Sequence, residues 1–539
     1  MPANTRRLRA AALALVALTA ASATAACTAG SGASGGTGTT DTLTINTSFV
    51  LKTLDPGRVY EATGVTTTHA LYDTLLTFEG SDVGKLVPRL AESYEASADA
   101  KTFTFKLRQG VKFSDGTPLT ADDVVFSLNR LKNVKASPAV MVSDLTAAKS
   151  DDRTVVVTSA KPNPNVPVVL AMSATGVVNA KVAKANGATD AADAASADTA
   201  QQFLDKTSAG SGPYVLKSYD PNSQVVLEAN PNYWGTKPQF NRVVLRNMDV
   251  QTQKLTMSRA SGAEVSLDIS GKLLDGLPDT VQTSGIQDTV YYLILNADPA
   301  VSPLTSNAKF RQALRSAIDY QGVAQLFGKG AGPGAGLVAP AFPGTLPAGE
   351  ESKRDVVQAK ALLAESGVTD PTVKFSYPTI TYRGVDLGTV ATKVQGDAAE
   401  AGIKLELNPQ PLTTFLDQMR SGKMPMGFTP QSLNYPVADS LINNMAPGAG
   451  SALRAGWTVE RAAPSVITAG DKVVATLDPA ARAEAMKDWQ REMNAHSPYI
   501  VIANNSGMNV ATANLTGVEY TPAGWQIDIA AIGSKTEAR

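Results

Sequence analysis

Side chains able to do chemistry are few and scattered in this 539-residue chain. It has two histidines, His69 and His496, and one cysteine, Cys27. His69 falls in an apolar helical pattern near Leu71 and Leu75, the setting of a structural histidine. His496 stands at a helix end before Ser497-Pro498, where an imidazole interacts with terminal carbonyls. Neither has a second histidine or a cysteine close by, so a His/Cys zinc site and nickel recognition through histidine are both disfavoured. Gly32-Ala33-Ser34-Gly35-Gly36 fits the G-x-S-x-G nucleophile elbow, but no strand precedes it and no helix follows, so the match is compositional. The glycine-rich run 328–336 lacks phosphate-loop spacing, and Lys329 is followed by glycine rather than serine or threonine. Asp122-Asp123 reads as the acidic first turn of a helix rather than as an acid/base pair. No enzymatic activity, no metal and no cofactor are expected.

Recognition chemistry is easier to find. Tyr377, Tyr382 and Arg383 cluster at the end of an alternating run, 372–377, and before a helical pattern. The carboxyl ends of strands are where α/β lobes place ligands. Arg383 could hold a ligand carboxylate through two hydrogen bonds, or stand exposed in a loop. Tyr382 and Tyr435 could stack on sugars or flat rings, or be core tyrosines.

The elements that must position these groups alternate between strand and helix. Phe103, Phe105 and Leu107 alternate with polar residues over 101–108, the period of a half-buried strand. Asp115-Gly116 then signals a turn. Thr120 and Asp123 have capping-box spacing, with Val124, Leu128 and Leu131 on one face of the helix that follows. Taken alone, this is a strand–turn–helix unit that any α/β domain could own. A first strand is expected over 42–49 and a hairpin over 214–219 and 224–229. A strand over 372–377, a helix over 384–401 stopped by Gly402 and a strand over 403–407 form a βαβ unit. Phe310, Ala313, Leu314, Ala317 and Ile318 share a helical face. A helix over 479–495 precedes a strand over 499–503. The pattern implies mixed α/β lobes, and the length implies two or three domains.

The start of the chain reads as an export signal. Arg6, Arg7 and Arg9 precede an uncharged, mostly apolar stretch, 10–23, and then small residues up to Cys27. Thr24-Ala25-Ala26-Cys27 resembles a lipoprotein processing site, with Thr24 where an aliphatic residue is usual. The other reading is ordinary signal cleavage with Cys27 incidental. Arg6-Arg7 also suggests twin-arginine export, although Arg9 departs from that motif. Removing residues 1–26 takes the formal charge from −1 to −4. There is no basic stripe, so nucleic acid is not an expected partner. With one cysteine, disulfides cannot staple the fold. Residues 28–40 have the Gly/Ser/Thr composition of a flexible tether.

Residues 71–130 carry the most specific signal. Leu71-Tyr72-Asp73-Thr74-Leu75, the 86–94 segment and Val111-Lys112-Phe113-Ser114-Asp115-Gly116-Thr117-Pro118-Leu119-Thr120-Ala121-Asp122-Asp123-Val124 together resemble the signature of bacterial extracytoplasmic solute-binding proteins of the peptide/nickel class (family 5). Gly210-Ser211-Gly212-Pro213-Tyr214, Asn230-Pro231-Asn232-Tyr233-Trp234 and the 309–314 helix resemble further parts of that family. The resemblance runs from about 42 to 530 and is faint over 180–200 and 440–475.

It implies an α/β, two-lobed periplasmic-binding-protein-like fold, class II, of the large peptide-binding type with an extra domain. A hinge would join the lobes around a ligand cleft. The expected layout is a signal peptide at 1–26 and a lipidated Cys27 with its tether at 27–41. Lobe I would be 42–57 with 207–285 and 508–539, an additional domain would be 58–206, and lobe II would be 286–507. By the same resemblance, one cleft wall falls on Tyr60, Glu61 and Ala62, after Leu54-Asp55-Pro56. Another falls on the stretch 431–439, with Gln431, Asn434, Tyr435 and Asp439 as binding residues. Peptide binders of the family place an aspartate for the peptide ammonium where this chain has Asn434, and a tryptophan where it has Gln431. An amide cannot neutralise a desolvated ammonium, so an ordinary free peptide requires Asp439 or Glu61 to replace that acid.

The implied function is capture of a peptide or peptide-like solute for an ABC permease and its ATPase, by a monomer anchored outside the cytoplasm through a lipid on Cys27. The alternatives are the same fold with an oligosaccharide or a modified or amine-free compound, a sensory or adhesion lipoprotein, and a secreted hydrolase.

Overall fold

The computed structural model describes residues 41–433 and 435–535. Two long strands, Val281–Leu295 and Tyr499–Thr512, organise it by pairing antiparallel along most of their length. They are neighbours inside a 10-stranded sheet. On one side the sheet continues through Glu264–Ser266, Thr42–Thr47, Arg242–Asn247, Gln224–Ala229 and Tyr214–Asp220. On the other it continues through Met426–Ser432, Thr372–Pro378 and Lys404–Gln410. The chain therefore passes twice between two halves within one hydrogen-bonded sheet. Its register shifts between Gln287 and Thr289 and between Tyr291 and Tyr292, and such bulges let a strand pair bend. The boundaries expected at 285/286 and 507/508 lie within these strands, with Gly285 opposite Met508 and Ile286 opposite Gly507.

Each half has its own apolar core. Leu43, Ile45, Val225, Leu245 and Val265 anchor one; Leu293, Phe310, Leu314, Phe375 and Phe428 anchor the other. A separate four-stranded antiparallel sheet is built from Ala91–Ala96, Thr102–Leu107, Thr154–Ser159 and Leu145–Asp151. Phe103, Phe105 and Leu107 of that sheet are buried, as their alternation requires. In helix Ala121–Val134 the Asp123 carboxylate accepts the Thr120 N–H and hydroxyl, both at 2.9 Å, which fastens the first turn.

Three separate motifs meet at one carboxylate. Asp73 accepts Arg89 Nε at 2.7 Å, Trp234 Nε1 at 2.8 Å and the Ser211 hydroxyl at 2.9 Å. The spacings around residues 71–75, 210–214 and 230–234 thus answer to a single buried acid.

The strand expected over 42–49 ends at Thr47 and the one expected over 403–407 runs Lys404–Gln410, and two further boundaries move with consequences for the site. The helix expected from 384 begins at Leu387, because Thr381–Tyr382 and Val385–Asp386 pair as a short ribbon. That ribbon turns through Arg383 and Gly384, at φ 49° and 77°, and the Asp386 side chain then caps the helix at Thr389 N, 2.8 Å away. The last strand does not stop at 503 but runs on to Thr512, with Asn504, Asn505 and Ser506 buried in it. Buried polar residues in a strand interrupt the apolar pattern that marks its extent.

Candidate functional site

Tyr60, Glu61 and Ala62 stand at the start of helix Ala62–Leu71, with Glu61 in the N-cap position. Tyr60 and Ala62 are exposed and Glu61 is half-buried, paired with the exposed Lys52 at 3.1 Å. Partial burial raises the Tyr60 phenol above its ordinary range. The approach to these residues is fixed by Asp55. Its carboxylate receives Arg130 Nη1 and Nη2 at 2.7 and 2.6 Å, and Arg130 also reaches Asp198 at 2.7 and 2.8 Å. Asp55 and Asp198 side chains are fully buried, so removing either leaves the Arg130 charge poorly matched.

The three residues expected near the end of the strand Thr372–Pro378 are placed differently from one another. Tyr377 is buried in the core, 6.3 Å ring to ring from Phe375. Tyr382 is half-buried, its ring 6.3 Å from Tyr291. Arg383 is not a free, exposed cation. Its guanidinium forms a two-pronged pair with Asp288, with Nη2 to Oδ2 at 3.1 Å and Nη1 on Oδ1. The Tyr520 hydroxyl donates to the same carboxylate at 2.7 Å, and Gly507 N donates to it at 3.2 Å. Burial opposes the Arg383 charge, but Asp288 more than offsets it and holds the guanidinium well above its ordinary range. Burial, reinforced by Asp288, raises the Tyr520 phenol as well. Asp288 lies at the register shift of the first crossing strand and Gly507 lies in the second, so this cluster sits where the chain crosses between the halves.

Of the 431–439 stretch, Asn434 lies outside the described residues. Tyr435 is half-buried against the apolar cluster that also holds Leu441 and Trp457. Asp439 is already engaged. Arg482 Nε lies 3.2 Å from its Oδ2, and Asn165 Nδ2 donates to it at 3.1 Å. Arg482 Nη2 in turn donates to Asn165 Oδ1 at 3.0 Å. This closed triangle joins the segment expected to be the additional domain to the one expected to be lobe II.

Gln431 borders a cavity of ≈ 160 Å³. Tyr292 and Tyr499 of the crossing strands, Met419, Met424 and the exposed Arg454 line it as well. The two tyrosine rings meet edge to face at 5.7 Å and 82°.

Sequence reasoning missed Asp288, Tyr520, Asn165 and Arg482. Each is an ordinary residue in its own segment, and its partners are far away along the chain. Only the bidentate chemistry of Arg383 hinted that some carboxylate would face it. Of the histidines, His69 stacks on Trp525 at 4.1 Å and 6°. His496 lies 3.6 Å from Glu492 rather than on the terminal carbonyls, one of which, Met493 O, accepts Ser497 N. Among the described residues no cluster of His, Cys, Asp and Glu could hold a metal ion. No helix among them is long and apolar enough to cross a membrane.

Residues 85–452 match the family model described as bacterial extracellular solute-binding proteins, family 5 Middle. The chain is 33% identical over 295 residues to a probable D,D-dipeptide-binding periplasmic protein of Escherichia coli, covering 52% of this chain and 54% of that relative. That alignment spans about half the relative's length. It is 26% identical over 500 residues to the dipeptide-binding protein of the same organism, covering 87% and 89%. In fold it is similar to the crystal structure of the ABC transporter substrate-binding protein CtaP of Listeria monocytogenes. The TM-score is 0.78 at 18% identity, covering 92% of this chain and 99% of that one.

Proposed function

The chain belongs to the bacterial extracellular solute-binding proteins of family 5, and from that membership we propose that it captures a peptide or peptide-like solute for an ABC importer. The observation that carries this reading is the family match over residues 85–452 together with a sheet whose two halves meet at a bulged pair of crossing strands. Closure about such strands traps a ligand between halves, and a permease reads the closed form. The E. coli relatives named for dipeptides support a peptide as the solute. No chemical step is part of this function.

The engagement of Asp439 with Arg482 and of Asp288 with Arg383 shapes the ligand. Both acids are neutralised internally, so neither is available to a peptide ammonium. Glu61 is then the acid proposed for that role, because its partner Lys52 is 80% exposed and such a pair is weak. The proposal includes a lipid anchor at Cys27, a monomer, and a location outside the cytoplasm.

Native mass spectrometry of the protein lacking residues 1–27, purified without refolding, tests the reading. A ladder of releasable peptide masses supports it. A single non-peptide mass, or an empty protein that ignores added peptides, overturns the peptide assignment in favour of an oligosaccharide or amine-free solute.

A further inference from the structure

Glycine stands at every second position from Gly328 to Gly336, in a run that fits no phosphate loop and has no role so far. In the fold this run lies across both crossing strands. Gly332 N donates to Asn504 O at 3.1 Å and Asn504 N donates to Gly332 O at 2.8 Å, a single bridge onto the second crossing strand. The Ser506 hydroxyl donates to Gly330 O at 2.6 Å. A Cβ on Gly332 would lie 3.1 Å from Nε2 of Gln287, which stands at the register shift of the first crossing strand. A Cβ on Gly334 would lie 2.3 Å from Val501 Cγ1, closer than carbon atoms approach, so any side chain there would lift the run off the strand.

The two ends of the run are held by different halves. At Gly328 a Cβ would lie 2.7 Å from the carbonyl carbon of Gly271, which follows the strand Glu264–Ser266 of one half. Ala335 O accepts Asn494 Nδ2 at 2.7 Å from the helix Pro479–His496. That helix leads into Tyr499, which pairs with Ile294 in the part of the sheet belonging to the other half. A backbone tied on both sides of a bulged strand pair resists the bending that the bulges permit.

We infer that residues 328–336 are a strap that sets the angle between the two halves in the solute-free protein. The inference rests on the solute-capture reading above for its use, since closure from that angle is what traps a solute. A slack strap leaves the halves splayed and taxes the closed population. The alternating glycines let the backbone itself, rather than side chains, bear on the crossing strands, and Ser506 is the residue that tethers it.

Double electron–electron resonance tests this on the protein lacking residues 1–27, which retains no cysteine. Lys217→Cys and Lys404→Cys place spin labels on the two edge strands of the 10-stranded sheet, where both side chains are exposed. At the usual strand spacing these edges are roughly 40 Å apart. Without solute, Ser506→Ala and Gly334→Ala should each shift the mean distance by about 5 Å, one strand spacing, and broaden its distribution. Lys329→Ala, at an exposed position of the strap, should leave both unchanged. An unmoved mean in Ser506→Ala overturns the inference, and a lowered melting temperature beside it marks a purely structural tie. The same shift in Lys329→Ala overturns it as well. Should Gly334→Ala fail to fold, Ser506→Ala alone decides. No solute enters the measurement, so failure of the strap and failure of peptide capture are told apart.

Discussion

Arg383 and Asp288 are 95 residues apart in sequence and form a two-pronged ion pair at the point where the chain crosses between the halves. Tyr520 completes the cluster, so the ribbon turn at Arg383, the bulge at Asp288 and the C-terminal segment hold one another. Arg383 itself sits at φ 49°, a left-handed conformation uncommon for a residue with a side chain. The pair accounts for its tolerance there, because the turn aims the guanidinium at Asp288.

Asp288→Asn should therefore lower stability by about 3 kcal/mol, since a mostly buried guanidinium would lose its charge partner. Tyr520→Phe should cost about 1.5 kcal/mol, the loss of one hydrogen bond to a charged group. Urea unfolding followed by tryptophan fluorescence measures both. A loss under about 1 kcal/mol for Asp288→Asn would mean that the pair does not organise the hinge.

The triangle of Asn165, Asp439 and Arg482 makes a different prediction. It spans segments distant in sequence, so breaking it should favour separation of those segments more than it unfolds either. Asn165→Ala, which removes the contact from the other segment and leaves the Asp439–Arg482 pair in place, is expected to weaken solute binding about five- to ten-fold by taxing the closed population, with the unfolding midpoint little changed. X-ray scattering should show a larger radius of gyration for the variant without ligand. Unchanged scattering and unchanged affinity would remove the triangle from the closing mechanism.

What could be read directly from the sequence was whatever depends on neighbours in the chain. The alternation Phe103, Phe105, Leu107 and the Thr120/Asp123 cap each report local periodicity, and each appears where expected. The end of the strand at Thr512 was hidden, because Asn504 and Asn505 look like a loop until their long-range burial is known. The roles of Arg383 and Asp439 were hidden for a related reason. An unpaired charge in a sequence is a candidate for ligand binding until the fold supplies its partner, and Asp288 and Arg482 are 95 and 43 positions away.

Three glycines beside the Arg383 turn let backbone segments approach closely. Gly271, Gly328 and Gly384 all have positive φ, and a Cβ on Gly384 would lie 2.5 Å from Ser270 O. A Cβ on Gly271 would lie 2.5 Å from Phe327 O. Gly384→Ala and Gly271→Ala should each hold these backbones apart, costing about 1 kcal/mol from φ alone and more from the contact. Solute affinity should fall at least ten-fold by titration calorimetry. Affinity within two-fold of the unaltered protein would show that the approach is not needed for capture.

His69 gives a pH dependence whose sign is fixed by its burial. Enclosed and stacked on Trp525, its imidazole is pulled down to about 4 by desolvation. Asp528 opposes that pull, Arg89 adds to it, and Asp73 opposes it again. The unfolded chain titrates near 6.5, so between about pH 6.5 and 4 the unfolded state binds a proton that the folded state refuses. Stability is thus fully present above pH 6.5 and declines as the pH falls toward 4. Between pH 7 and pH 5 this one group should contribute a loss of about 2 kcal/mol. His69→Phe keeps a ring on Trp525 without a titrating nitrogen, so its stability should fall less over the same interval by that amount. Equal losses in the two proteins, measured by urea unfolding at pH 7 and pH 5, would place the acid sensitivity in other groups.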